Sequence, residues 1–255
     1  MEKQPQFPAE EVTLPSKGLL YPENSPLKSG KIQMKYMTAR EEDILTNQNY
    51  IKNGVAIDKL LESLITTPDV DYQDLLLGDK NAIMIAARIL GYGAEYEVKR
   101  VHPESGVESE GIINLSKIND KLMDENFIKD GKNEFNFTLP TSNVNVSFKL
   151  LTERDDKKID KEITGLQKIT KNVSEGIIRL KHTILSIDGD YDGKIVRDFI
   201  DNNLLARDAR ALRKHMSNIQ PGIDMNVSVE FKDGYVEENV YLPIGINFFW
   251  PDAEL

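Results

Sequence analysis

Apolar and polar residues alternate along this chain with two distinct periods. Ile32, Met34 and Tyr36 are interleaved with polar Gln33 and Lys35, and Val144, Val146 and Phe148 repeat the pattern farther on. A period of two predicts half-buried strands. Ile57, Leu60, Leu61, Leu64 and Ile65 recur at helical spacing and make one apolar face. Residues 81–90, NAIMIAARIL, are apolar nearly all round, which predicts a helix central to its core. Gly91 and Gly93 end that helix, as Pro221 and Gly222 end a later one. After each glycine the alternation resumes around a polar turn, predicting β-hairpins over residues 96–115 and 227–244. Thr38 and Glu41 form a capping box at one helix start. Thr152 and Asp155 form a weaker one, because the shorter aspartate reaches back less well.

These signals recur in the same order. TLPS at 13–16 returns as TLPT at 138–141, and Lys35, Thr38 and Arg40 match Lys149, Thr152 and Arg154 at one constant shift. LLLGDKNA at 75–82 matches LLARDARA at 204–211, each with an aspartate followed by an alanine three residues on. Gly93 then matches Gly222, and Val107-Glu108 matches Val236-Glu237. Ordered recurrence of this kind predicts an internal duplication. The fold class read from it is α+β: two related copies of strand, helices and β-hairpin, at 31–118 and 138–255, joined by a charged, turn-rich linker at 119–137. The second copy is longer in its middle. Residues 1–30 carry five prolines and little periodicity, which predicts an extended N-terminal arm. Leu14, Leu19, Leu20 and Tyr21 are its apolar anchors, and Gly18 lets the chain turn between them. Residues 13–22 either dock on a partner or pack back on the first copy, as TLPT feeds directly into its own strand.

The 255 residues, 40% hydrophobic and 29% charged, suffice for one large domain or two small ones. A formal charge of −10 argues against a nucleic-acid surface, which needs lysine and arginine to neutralise phosphates. The absence of cysteine excludes disulfides, thiolate nucleophiles and Cys-ligated zinc, and suits a reducing compartment. No stretch nears the roughly 18 consecutive apolar residues of a membrane span, and MEKQPQFPAEE lacks the apolar core of a signal peptide, so a cytoplasmic setting is expected. His102, His182 and His215 are scattered, and no phosphate-cradling glycine motif is present. Acidic pairs at helix starts complement the backbone dipole. No catalytic residue and no cofactor are predicted.

Three features could make contacts. Arg207, Arg210, Arg213 and Lys214 fall near one side of a helix, either a solvated face or a docking site for an acidic partner. Phe248, Phe249 and Trp250 crowd the end of the last predicted strand, and their cover comes from this chain's core or from a partner. SIDGDYDGKIVRDF at 186–199 places Asp188, Asp190 and Asp192 as a calcium loop would, but its twelfth position is Phe199 where such a loop needs a bidentate glutamate. The alternative is a polar turn in which Asp190 or Asp192 caps the next helix. A calcium-responsive binding module is therefore the second functional reading.

With LPSKGLLYP near the start, MTAREEDIL, LLLGDKNAIMIAARILGYGAEY and the closing PIGINFFWP, the sequence resembles the baseplate hub assembly proteins of T-even-type contractile-tailed phages over nearly its whole length. The resemblance implies a structural or assembly protein of the tail baseplate, without enzymatic activity, that works through contacts with other tail proteins. It further implies the host cytoplasm during assembly, and a possible homo-oligomer. Relatives often carry a C-x-x-C pair in the hairpin, where a metal staples the turn. The matching positions here are His102 and Ser105, so zinc is not expected.

Overall fold

The computed structural model describes residues 8–121, 128 and 131–249, which form a mixed α+β body. The first half opens with β1 (Ala9–Thr13) paired antiparallel along its length with β2 (Lys31–Lys35). The long connection between them folds onto itself: the Leu14 amide donates to the Gly30 carbonyl at 2.8 Å, and Gly18 and Gly30 take left-handed conformations. A side chain at Gly18 would lie 2.2 Å from the Lys28 carbonyl oxygen, so only glycine fits there. This closure corrects the extended arm. From Ala9 onward the segment is a hairpin strand and a compact loop, and Leu14, Leu20, Tyr21 and Leu27 are buried in the core. Proline restricts the loop without preventing its collapse; Pro26 simply occupies the first turn of a short 3-10 segment capped by Ser25. Residues 1–7 lie outside the described residues.

Three helices follow, α1 (Ala39–Thr46), α2 (Gln48–Lys52) and α3 (Ala56–Leu64). The apolar face of α3 is buried through Ala56, Leu60, Leu61 and Leu64, and the chain then returns to β2, where Ile65 bridges Met34. Helix α4 (Leu77–Tyr92) buries Ile83, Met84, Ile85 and Ala87, as its all-round apolarity predicts. Gly93 ends it with a positive φ, and β3 (Glu95–Val101) and β4 (Glu108–Asn114) form the first hairpin.

The second half runs through a comparable series. β5 (Phe135–Thr138) and β6 (Asn145–Phe148) pair antiparallel, so the end of the predicted linker is already strand. Helices α5 (Glu153–Gln167) and α6 (Glu175–Thr183) meet over a small apolar cluster of Ile159, Ile163 and Ile178. The chain returns to β6 as β7 (Ile184–Ile187), giving sheet order β5-β6-β7. Helix α7 (Gly193–Asp198), a π turn at Phe199–Asn203 and helix α8 (Ala206–Ile219) lead to the hairpin of β8 (Asn226–Phe231) and β9 (Val236–Tyr241). A short helix, α9 (Ile246–Phe249), stands where a strand end was expected.

The two hairpins merge into one antiparallel sheet, β3-β4-β8-β9, joined where Gly111 faces Phe231 and Ile112 faces Glu230. A Cβ at Gly111 would sit 2.4 Å from Val229 Cγ1, so glycine lets the two hairpins approach. One core cluster takes residues from both halves, including Leu60, Ile83, Val146, Leu212, Val229 and Phe248.

Candidate interaction surfaces

Most of the anchors predicted for the arm are internal. Leu14, Leu20 and Tyr21 are no more than 4% exposed and Leu19 is half-buried. Tyr21 is held by chemistry as well as packing. Its hydroxyl donates to Asp79 at 2.6 Å and accepts the Leu76 amide at 2.9 Å, while the Ser16 amide donates to the other Asp79 oxygen at 2.9 Å. Asp79 is fully buried, and burial pushes its pKa up against the hydrogen bonds that stabilise the charge. Burial, reinforced by the neighbouring Asp79, pushes the Tyr21 phenol up too.

The second half holds a comparable clamp. Asp208, also fully buried, accepts the amides of Thr141 and Ser142 at 2.8 and 3.0 Å. Burial acts to raise its pKa, but these amides outweigh burial and the net shift is downward. The matched aspartates of LLLGDKNA and LLARDARA therefore each tie the TLP segment of their own half to a helix. Their recurrence was visible in the sequence; the role was not, because the segment each one holds lies more than sixty residues away.

The capping boxes carry a second pair of clamps. Glu41 accepts Thr38 N at 2.9 Å, Lys35 Nζ at 2.8 Å and Ser63 Oγ at 2.7 Å. Asp155 accepts Thr152 N at 3.3 Å and Lys149 Nζ at 2.8 Å. The longer cap bond in the second half follows from the shorter side chain. Between the halves, the Leu77 amide donates to Leu151 and the Glu153 amide to Leu75. Lys80 reaches Glu153 at 2.6 Å, Lys157 reaches Asp58 at 2.8 Å, and the Lys157 ammonium lies 4.7 Å from the Tyr72 ring centre. This charged seam was not anticipated, because its pairs join residues more than seventy positions apart and no local signal says which charges meet.

In the 186–199 loop the three aspartates serve the backbone. Asp188 accepts Asn145 N, Asp190 accepts Asp192 N, and Asp192 accepts Lys194 N at 2.8 Å and caps α7. Among the described residues no three His, Asp or Glu side chains are grouped to hold a metal ion. At the hairpin tip, His102 Nδ1 accepts the amides of Glu104 and Ser105, and the ring packs on Phe231 and Tyr235.

Phe248 and Phe249 are buried in this chain's own core, at 1% and 0% exposure. Phe248 packs on Tyr96, and its carbonyl accepts Arg88 Nε at 3.2 Å. They are therefore internal packing residues. Trp250 lies outside the described residues.

The basic set is the predicted feature that faces outward. Arg207, Arg210, Arg213 and Lys214 are all exposed on α8, opposite the buried side formed by Asp208, Ala209, Leu212 and Ile219. None of the four is in an ion pair with another described residue. No helix among the described residues is long and apolar enough to cross a membrane.

The chain is thus a mixed α+β protein whose two halves share a core and a sheet. It belongs to a family of phage tail proteins: the family model described as T4 bacteriophage base plate protein matches residues 13–250, nearly the whole chain. No curated protein and no solved structure matches it.

Proposed function

We propose that this baseplate protein acts in the hub region as a structural or assembly subunit, through protein contacts rather than catalysis. The observation that carries this reading is the α8 stripe. Four cations lie on one exposed side of one helix, without an acidic partner among the described residues, in a chain with a net charge of −10. Unpaired like charges along a helix side repel one another. An acidic surface in the growing baseplate relieves that repulsion and fixes orientation. Assembly takes place in the host cytoplasm, and the mature location is the virion tail. The matching series of elements in the two halves supports descent from a duplicated unit.

The test is mass spectrometry of purified tails and assembly intermediates from phage carrying wild-type or charge-reversed chains. With Arg207, Arg210 and Arg213 changed to Glu, the chain should be lost from hub intermediates. Its absence from every intermediate in wild-type phage, or equal incorporation of the reversed chain, would overturn the proposal.

A further inference from the structure

The outward face of the four-stranded sheet is acidic where α8 is basic. β3 presents Glu95, Glu97 and Lys99 outward, and β4 presents Glu108, Glu110 and Ile112. Glu230 of β8 stands opposite Ile112. A trough of about 770 Å³ runs over this face, lined by Glu95, Asp224 and Glu230, with Ile112 and Val236 as its exposed apolar residues. The three carboxylates are exposed and in no ion pair with another described residue. Two lysines also border the trough: Lys232 is held by Glu110, and Lys117 is the counter-charge left over. Ile112 and Val236 are 40% and 46% exposed, and so is Leu205, at 47%, immediately before α8.

From this complementarity we infer that the basic side of α8 docks in the sheet trough of a second copy of this chain. The inference rests on the docking role of α8 and names its partner. None of the four cations lines the trough, so stripe and trough are separate surfaces of one molecule and meet only between copies. Each contact then joins two different surfaces. Such a contact runs head to tail and builds a ring when its rotation closes, or a filament when it does not. The charges set register and association rate, while Leu205 against Ile112 and Val236 supplies the apolar contact that charge alone does not.

Sedimentation velocity of the full purified chain tests this at about 50 mM and about 500 mM salt, which span strong and weak screening. The wild-type chain should associate with rising concentration at low salt and dissociate at high salt. Reversing the stripe (Arg207→Glu, Arg210→Glu, Arg213→Glu) or the trough (Glu95→Lys, Asp224→Lys, Glu230→Lys) should each give monomers. An equimolar mixture of the two should associate again, since the reversed stripe meets the reversed trough. Circular dichroism confirms that each variant is folded, and the milder Arg210→Gln and Glu230→Gln should each weaken association if a triple variant is not. A wild-type chain that stays monomeric, a reversed chain that still associates, or a mixture that does not recover overturns the inference. Retention of duplex DNA by a monomeric wild-type chain does so as well. If the wild-type chain is monomeric but the stripe-reversed chain still drops out of tail intermediates, the docking role stands and only the partner named here falls.

Discussion

Tyr21 and Glu41 show how much single polar groups decide in this core. Tyr21→Phe keeps the ring and removes a hydroxyl that both donates to Asp79 and accepts from Leu76. Two buried partners lose a hydrogen bond, so urea denaturation should show a loss of about 1–3 kcal/mol. An unchanged midpoint would mean that the Asp79 clamp contributes nothing. Glu41 gives the acid limb. Burial acts to raise its pKa, but Lys35, Thr38 and Ser63 outweigh burial and hold it down, from an ordinary 4.5 to about 2. Its stabilisation is therefore present above the unfolded value and is lost as pH falls from about 4.5 towards 2. Asp79 has the opposite sign. Its raised pKa favours the protonated acid in the fold, a contribution present below the unfolded value and lost as pH rises through the folded one. Glu41→Gln should consequently flatten stability against pH between about 4.5 and 2. Parallel wild-type and variant curves across that window would contradict the assignment.

At the scale of elements, close approach separates two helical glycines that look alike in sequence. Gly78 begins α4 against the Pro221–Gly222 turn, and a Cβ there would lie 1.8 Å from the Pro221 carbonyl oxygen. Gly165 is within α5 with nothing within 4 Å of its position. Gly78→Ala should cost about 1–3 kcal/mol or more by overpacking against backbone. Gly165→Ala should add about 0.5–1 kcal/mol by removing glycine's entropy penalty in a helix. Thermal melts of the two variants should move in opposite directions. The first strand also revises what a truncation does. Deleting residues 1–11 removes the β1 positions that pair with Gln33, Met34 and Lys35, so the melting temperature should fall, where a free arm would have left it unchanged. Both hairpins, the two capping boxes and the apolar faces of α3 and α4 were legible in the sequence, because each is set by residues within a turn or two of one another. The folding-back of Leu14 to Gly30 was not, because prolines signal restricted φ in a docked loop and in a free arm alike.

Across the whole molecule, the shared core and the Lys80–Glu153 seam make the halves interdependent. Calorimetry and tyrosine fluorescence should give one coincident transition rather than two. Lys80→Ala leaves Glu153 buried without its closest cation and should cost about 3–5 kcal/mol, the range for removing one partner of a buried pair. Two separate transitions, or a neutral Lys80 variant, would show that the halves fold independently.

By itself the sequence determined both hairpins, the capped helix starts, the apolar faces of α3 and α4, the repeat of signals, and a helix side carrying four cations. Those properties follow from backbone period, cap chemistry and spacing along one helix, which are local. Only the tertiary structure decided which apolar residues are covered. Tyr21 finds Asp79 58 residues away, and Phe248 finds Arg88 160 residues away. The same holds for the merging of two hairpins into one sheet, which depends on Gly111 meeting Val229 across the halves. Periodicity fixes which side of an element is apolar, but the residue that covers it is chosen by packing in three dimensions. The α8 cations stay outward because their helix buries its other side.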